Sequence, residues 1–250
     1  MPLEPTVLYP LTLPALLSHI LSTQSASSPT TLVICSDRPS FLGELAHFLS
    51  QQQETFQSPT FGHLKHCELK QLLVPTLHNL SITRHVKLAF CASVQALLAY
   101  LTAYDRPGYV NVDESEGKER LVLVNLLALH KPTSSFSAQG LSRTFATAVE
   151  AALRTGATLH LVECEGRHSV SPEVTEDVAM SDEEEDDRPH AAEQDPWDQD
   201  VSILNVSARR LGSGTGERAW AGRTVKAKRI AARWFRFHNL SSHHTDAESG

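Results

Sequence analysis

The sequence predicts an α/β fold whose mostly parallel, twisted sheet is flanked by helices. Short apolar runs of strand length alternate with longer amphipathic segments over the first 165 residues. Apolar runs of this kind are typical of strands that are buried on both faces, and their alternation with helices favours βα units around one covered sheet. At 250 residues and 41% hydrophobic content, the chain is long enough to form one substantial core with appendages.

Four strands and four helices follow from these periodicities. The predicted strands are residues 31–35, 85–90, 121–129 and 158–162. The predicted helices are residues 13–21, 41–49, 93–104 and 140–155. The apolar face of the first helix consists of Leu13, Leu16, Leu17, Ile20 and Leu21. This face either docks on a partner or packs against the sheet, and packing is the favoured alternative.

The charge of the chain is separated into an acidic and a basic segment. Residues 163–200 contain fifteen acidic residues against two arginines, a local charge of −13. Because high charge combined with few large apolar side chains opposes folding, we expect residues 165–200 to be a disordered acidic insert. The insert is a solvated linker, a nucleic-acid mimic or a shield over the basic residues that follow it.

The basic segment lies directly after the insert. Residues 209–236 contain nine Arg or Lys residues against one Glu, a local charge of +8. Closing strands are predicted at residues 201–206, 218–229 and 232–237, with a glycine-rich turn between the first two. Cationic side chains near tryptophans suit the phosphates and bases of single-stranded DNA, although arginines can equally protect an edge strand and the tryptophans can belong to the core. The candidate DNA-binding residues are Arg209, Arg210, Arg218, Arg223, Lys226, Lys228 and Arg229.

The run of residues 121–129 resembles the magnesium-holding strand of a P-loop ATPase. Its polar residue is the neutral Asn125, where such an enzyme has an aspartate that holds the magnesium ion. No G-x-x-x-x-G-K-[ST] motif occurs, since the only Gly-Lys pair, at residues 117–118, is followed by Glu119. We therefore expect a pseudo-ATPase with no catalytic residues, no cofactor and no metal, in which Asn125 marks the degenerate magnesium-strand position.

Several short sequence segments together resemble the recombinase-paralogue branch of the RecA-like superfamily. They are most similar to its degenerate members, which are found in Shu-type complexes and as partners of SWIM-domain proteins. Residues 31–39 are similar to the strand and turn after the first helix of that family, and residues 86–101 to the strand-helix pair before the magnesium strand. The strings 207–218 and 232–237 are similar to its basic C-terminal strands. The chain departs from the family in lacking both nucleotide motifs and in having an acidic insert where a recombinase holds its second DNA-binding loop.

The resemblance implies a nuclear, non-catalytic accessory factor of homologous recombination and DNA repair. Such a factor works in a hetero-oligomer with a RecA-like recombinase, a paralogue or a SWIM-domain protein, and it assists recombinase filament assembly on single-stranded DNA. The alternative is a P-loop-less RecA-like subunit of the Elongator tRNA-modification complex. The implied organisation is a RecA-like core at residues 1–164, the insert at 165–200, C-terminal antiparallel strands that complete the core at 201–238, and a disordered tail at 239–250.

Other site classes are weakly supported by the sequence. The four cysteines have no C-x-x-C spacing, which favours buried thiols over a disulfide framework or a zinc site. His63, His66 and Cys67 lack a second ligand cluster at a zinc-site spacing. No apolar run approaches the roughly 20 residues of a membrane-spanning helix, so no membrane association is expected.

Overall fold

The computed structural model describes residues 4–25, 28–54, 76–105, 119–165, 195–204 and 223–240. The strands are β1 (Thr6–Tyr9), β2 (Leu11–Thr12), β3 (Thr30–Ile34), β4 (Val86–Phe90), β5 (Arg120–Val124), β6 (Thr158–Val162), β7 (Cys164–Glu165), β8 (Asp200–Ser202), β9 (Thr224–Lys226) and β10 (Arg236–Asn239). The helices are α1 (Leu13–Thr23), α2 (Arg38–Glu54), α3 (Leu77–Thr83), α4 (Val94–Ala103), α5 (Leu126–His130), α6 (Ala138–Thr155) and α7 (Ala227–Ala231). A 3₁₀ turn spans Pro196–Asp198.

Six strands form a central sheet in the order β10-β1-β6-β5-β3-β4, and every neighbouring pair is parallel. β2 and β7 form a separate parallel pair, and β8 and β9 form a separate antiparallel pair. Because all six central strands run in one direction, their carboxyl ends lie together at one end of the sheet and their amino ends at the other end. The sheet therefore has two distinct ends, a carboxyl end and an amino end.

Helices cover both faces of the sheet. Along β5, Leu121 and Leu123 face the core that contains α4, α6 and α7, whereas Val122 and Val124 face the core that contains α1 and the start of α2. This alternation is the two-residue period of a strand. Burial of successive strand residues on both faces explains why the sequence of β5 is apolar without interruption.

The helices begin where the sequence supplies capping side chains. Thr12, Ser93 and Ser137 each have extended backbone and accept a hydrogen bond from the backbone N–H three residues later, at 3.4, 3.1 and 3.0 Å. Such caps satisfy N–H groups that have no partner within the helix. α6 ends at Gly156, whose φ of 70° lies in the left-handed region that favours glycine.

The first helix packs against the sheet, as the favoured alternative predicted. Leu13, Leu16 and Ile20 are 1%, 0% and 3% exposed. Leu17 and Leu21 are partly buried. The apolar face of α1 is therefore part of the core.

Several strand predictions were wrong in detail. The strand predicted at 121–129 ends at Val124, because Asn125 turns the chain and α5 begins at Leu126. Within the described part of the strand predicted at 218–229, which begins at Arg223, Thr224–Lys226 is a strand, and Ala227–Ala231 is a helix that buries Ala227 and Ile230. Helix α3 and the interior strand β1 were not predicted. β1 has only four residues and lies between Pro5 and Pro10, so its apolar pattern is too short to recognise.

The C-terminal region also differs from its prediction. The antiparallel pair is present as β8 and β9, but β10 runs parallel to β1 at the edge of the central sheet. β10 extends to Asn239, inside the segment predicted as a tail. Trp197, inside the segment predicted as disordered, is 1% exposed and its ring contacts Phe237 edge-on at 5.1 Å. A single large aromatic residue thus anchors the C-terminal end of the acidic segment, an effect that average composition does not capture.

Candidate functional site

Asn125 lies at the carboxyl end of β5 in a left-handed conformation, with φ 61° and ψ 41°. Asparagine adopts this conformation more readily than most residues. Its side chain is 2% exposed, and its Oδ1 accepts a hydrogen bond of 2.8 Å from the backbone N–H of Cys164. Its own N–H donates to the carbonyl of Val162 at 2.8 Å. The Asn125 amide therefore joins the end of β5 to the end of β6.

Glu163 makes the reciprocal connection from β6 to β5. Its carboxylate is 3% exposed, and Oε1 accepts a hydrogen bond of 2.6 Å from the backbone N–H of Leu127 in the first turn of α5. A carboxylate at a helix N-terminus is stabilised both by this charge-assisted bond and by the helix dipole. Asn125 and Glu163 together tie the carboxyl ends of β5 and β6 to each other.

The connection from β1 to α1 is the first strand-to-helix connection of the sheet, and it is short. Only three residues, Pro10, Leu11 and Thr12, separate the strand from the helix. Leu11 and Thr12 are paired with β7, and the Thr12 hydroxyl oxygen caps α1. A phosphate loop of the P-loop type needs about eight residues with backbone N–H groups turned towards the ligand. This connection is too short for such a loop, in agreement with the missing motif.

The described cysteines are buried thiols, as the sequence analysis expected. Cys35, Cys91 and Cys164 are buried and none is in a disulfide. Burial raises the pKa of the Cys91 thiol. His63, His66 and Cys67 lie outside the described residues. Among the residues that the structure describes, no group of three or more His, Cys, Asp or Glu side chains could hold a metal ion.

The candidate DNA-binding residues are only partly visible. Arg209, Arg210 and Arg218 lie outside the described residues, and so does Trp220. Arg223 and Arg229 are exposed. Lys226 is exposed and forms a salt bridge of 3.0 Å with Asp200 on the neighbouring strand β8.

Lys228, Arg236 and the described aromatic residues of this segment have structural partners. The Lys228 ammonium group lies over the rings of Tyr9 and Phe237, 5.4 and 5.5 Å from their centres. Arg236 pairs with the carboxylate of Glu4. Phe235 is 4% exposed and meets Phe145 edge-on, and Trp234 packs against the same core. In the described part of the segment, the aromatic residues therefore pack against the core, and Arg223 and Arg229 are the exposed arginines of the predicted set.

The amino end of the sheet has a feature that the sequence did not reveal. A cleft of about 430 Å³ lies between α1 and the sheet. Four basic side chains from four different elements line it: His19 of α1, Arg120 of β5, His160 of β6 and His238 of β10. No sequence spacing connects residues so far apart. The only local signal was His160, a polar residue within the otherwise apolar run of β6.

Comparison with known proteins gives no assignment for this chain. No protein-family model matches the sequence, and no curated protein matches it. Within the described residues, no helix is long and apolar enough to cross a membrane.

Proposed function

We propose that the protein is a nuclear, non-catalytic accessory factor of homologous recombination and DNA repair. In this proposal it is a RecA-like pseudo-ATPase subunit of a paralogue complex that assists recombinase filament assembly on single-stranded DNA. The observation that carries the proposal is the position of Asn125. It stands at the end of the strand that resembles the magnesium strand of a nucleotide hydrolase, and its side chain holds the backbone of Cys164.

The order of the elements supports the RecA-like part of the proposal. The family resemblance expects a first helix, a strand and turn, a strand-helix pair and then the magnesium strand. α1, β3, β4 with α4, and β5 follow in that order. These three strands run parallel to one another and to β6 and β1. The short β1–α1 connection supports the loss of nucleotide binding.

The exposed apolar residues near one edge of the sheet support association with a partner. β4 is an edge strand, and its Leu88 is 54% exposed. On the preceding helix α3, Leu77 and Leu80 are 87% and 54% exposed. An edge strand with unpaired backbone groups and nearby apolar side chains is a surface that a second protein can cover. The proposed partner is a RecA-like recombinase, a paralogue or a SWIM-domain protein.

Purification of the tagged full-length chain from its native cells tests the proposal. We expect recombinase or paralogue subunits to be recovered with it. Recovery of Elongator tRNA-modification subunits instead would contradict the recombination role while leaving the pseudo-ATPase proposal intact. Calorimetric titration with Mg²⁺ and ATP tests the latter separately: no heat of binding is expected, and micromolar affinity would refute it.

The DNA contact has its own test in the assembled complex. Each single-strand phosphate contact adds about 0.7 to the slope of log affinity against log salt. If Arg223 and Arg229 both contact phosphates, replacing both with Gln lowers that slope by about 1.4. Arg236→Gln is the matched control, because Arg236 is an exposed arginine of β10 that is not one of the candidate DNA-binding residues. An unchanged slope in the double variant would remove the described basic residues from the DNA interface.

A further inference from the structure

The cleft at the amino end of the sheet, called the amino-end cleft below, combines convergent basic groups with apolar walls. Leu16 and Ile20 of α1 contribute apolar side chains beside His19, and Arg120, His160 and His238 reach the cleft from the sheet. Its volume of about 430 Å³ falls within the range of small-molecule sites. A few polar groups that converge within an apolar cavity are the usual composition of such a site.

His160 is the residue that most needs a ligand. Its neighbours on β6, Leu159 and Leu161, face the opposite core, whereas His160 faces α1. Its Nδ1 atom is buried and has no hydrogen-bond partner within the described structure. Buried polar atoms in folded proteins are nearly always paired, so this unpaired nitrogen, on a side chain that lines the cleft, makes His160 a candidate contact for a ligand or a water molecule.

Arg120 has donors left for the same partner. Its two terminal nitrogens donate to the hydroxyl and to the carbonyl of Thr23, at 2.9 and 3.2 Å. A guanidinium group has five N–H donors, so the two hydrogen bonds to Thr23 leave other N–H groups of Arg120 for a ligand. The contacts also hold the guanidinium beside α1, so its position in the cleft is fixed before any ligand arrives.

No acidic side chain in the described lining of the cleft offsets the positive charge of Arg120. None of the residues that line it in the described structure is Asp or Glu. The adjacent Glu119 accepts hydrogen bonds from Thr31 and from the hydroxyl of Tyr104, a core residue on the opposite face of the sheet.

The lowered pKa values of the histidines are consistent with this charge. Burial, followed by the charges of Arg120 and His238, lowers the pKa of His19. Burial, followed by the charges of Arg120, His19 and His238, lowers the pKa of His160 to about 4. Each positive group therefore opposes protonation of the others, and a bound anion would relieve that opposition.

We propose that the amino-end cleft binds a small phosphate ester with an apolar body. The phosphate contacts Arg120, His160, His19 and His238, and the body lies against Leu16 and Ile20. A phosphate group has more acceptor oxygens than a carboxylate, so it can accept hydrogen bonds from the Arg120 guanidinium and from several imidazole N–H groups at once. This site lies at the opposite end of the sheet from Asn125, so it stands independently of the proposed recombination role.

Titration of the full-length protein with phenyl phosphate tests the site. By histidine-resolved NMR, we expect the imidazole signals of His19, His160 and His238 to shift on addition of the ligand, and the pKa of His160 to rise above its value in the unliganded protein. Inorganic phosphate and benzoate should each bind at least threefold more weakly than phenyl phosphate. Equal affinity for inorganic phosphate would refute the apolar part of the site, and equal affinity for benzoate would refute its phosphate selectivity.

Two variants and a matched control locate the binding. Arg120→Gln should weaken phenyl phosphate binding at least tenfold, whereas Arg143→Gln, an exposed change on α6, should leave it unchanged. Because Arg120 also contacts α1, His238→Gln on the exposed strand β10 gives a second variant that spares the core, and it should weaken binding at least threefold. Wild-type affinity in both folded variants, or no binding to the wild-type protein at 10 mM ligand, roughly the weakest specific affinity of interest, would overturn the proposal.

Discussion

The two ends of the parallel sheet use their polar side chains in opposite ways. At the carboxyl end, Asn125 and Glu163 are buried. The Asn125 side chain accepts a hydrogen bond from the backbone N–H of Cys164, and the Glu163 carboxylate accepts one from the backbone N–H of Leu127. At the amino end, Arg120 and His160 line an open cleft, and the Nδ1 atom of His160 has no partner in the described structure. Ligands of open α/β sheets usually bind outside the carboxyl ends of the strands. In this chain the Asn125 and Glu163 side chains bond to the backbone at that end, and the unpaired Nδ1 atom of His160 lies towards the other end.

Because of this difference, we expect the polar side chains at the carboxyl end to contribute to stability and those at the amino end to contribute to ligand binding. Polar groups that satisfy each other inside a protein contribute to the uniqueness of the fold, whereas polar groups left without partners at a cavity have a cost that only a ligand removes. We therefore expect substitutions at the carboxyl end to lower stability strongly. Substitutions at the amino end should change stability little and change its pH dependence or ligand binding more.

The largest expected effect is that of Asn125→Ala. The substitution leaves the buried N–H of Cys164 without its acceptor and places alanine in a left-handed conformation. Together these should lower the free energy of unfolding by about 3 kcal/mol, measured by urea denaturation. Asn239→Ala, at the exposed end of β10, is the control and should change stability by less than about 0.5 kcal/mol.

A second variant, Asn125→Asp, changes the residue type at this position while keeping a hydrogen-bond acceptor. Aspartate retains an acceptor for Cys164, so it should cost less stability than alanine. It also restores the residue type that a magnesium strand requires, but the short β1–α1 connection remains. We expect no Mg²⁺–ATP binding by this variant, and binding would show that the carboxyl end is less closed than its hydrogen bonds indicate.

The second effect is the pH dependence of stability at the amino end. The pKa of His160 is lowered to about 4 from an ordinary value of 6.5. The unfolded chain therefore binds more protons between these values, so stability is fully present above pH 6.5 and falls as the pH falls towards 4. This group alone should contribute a loss of about 2 kcal/mol between pH 7 and pH 4.5.

His160→Leu checks this assignment by denaturation at the two pH values. The variant should lose less stability on acidification than the wild-type protein, although not none, because burial also lowers the pKa values of His19 and His130. His78→Leu, on the exposed helix α3, should keep the wild-type pH dependence. An unchanged dependence in the His160 variant would place the acid-sensitive group elsewhere.

The sequence predicted the covered parallel sheet because its strands β3, β4, β5 and β6 are apolar runs that are bounded by turns. It also identified Asn125 as the residue that departs from a nucleotide hydrolase. It did not reveal that the Asn125 amide bonds to Cys164, since that contact joins residues 39 positions apart. The amino-end cleft was missed for the same reason: β10 and β1 bring His238 beside the first helix, and only the folded topology places them together.

The smallest expected effect is that of Thr23→Val at the amino end. The substitution removes the hydroxyl that accepts a hydrogen bond from Arg120, while leaving the backbone carbonyl of Thr23 to the same guanidinium. Because the hydroxyl contact is exposed to solvent, water replaces it at little cost, and the free energy of unfolding should fall by about 0.5 kcal/mol. The loosened guanidinium should nonetheless weaken phenyl phosphate binding in calorimetry. A loss of stability as large as that of Asn125→Ala would show that the two ends of the sheet are equally structural, and the contrast between them would fail.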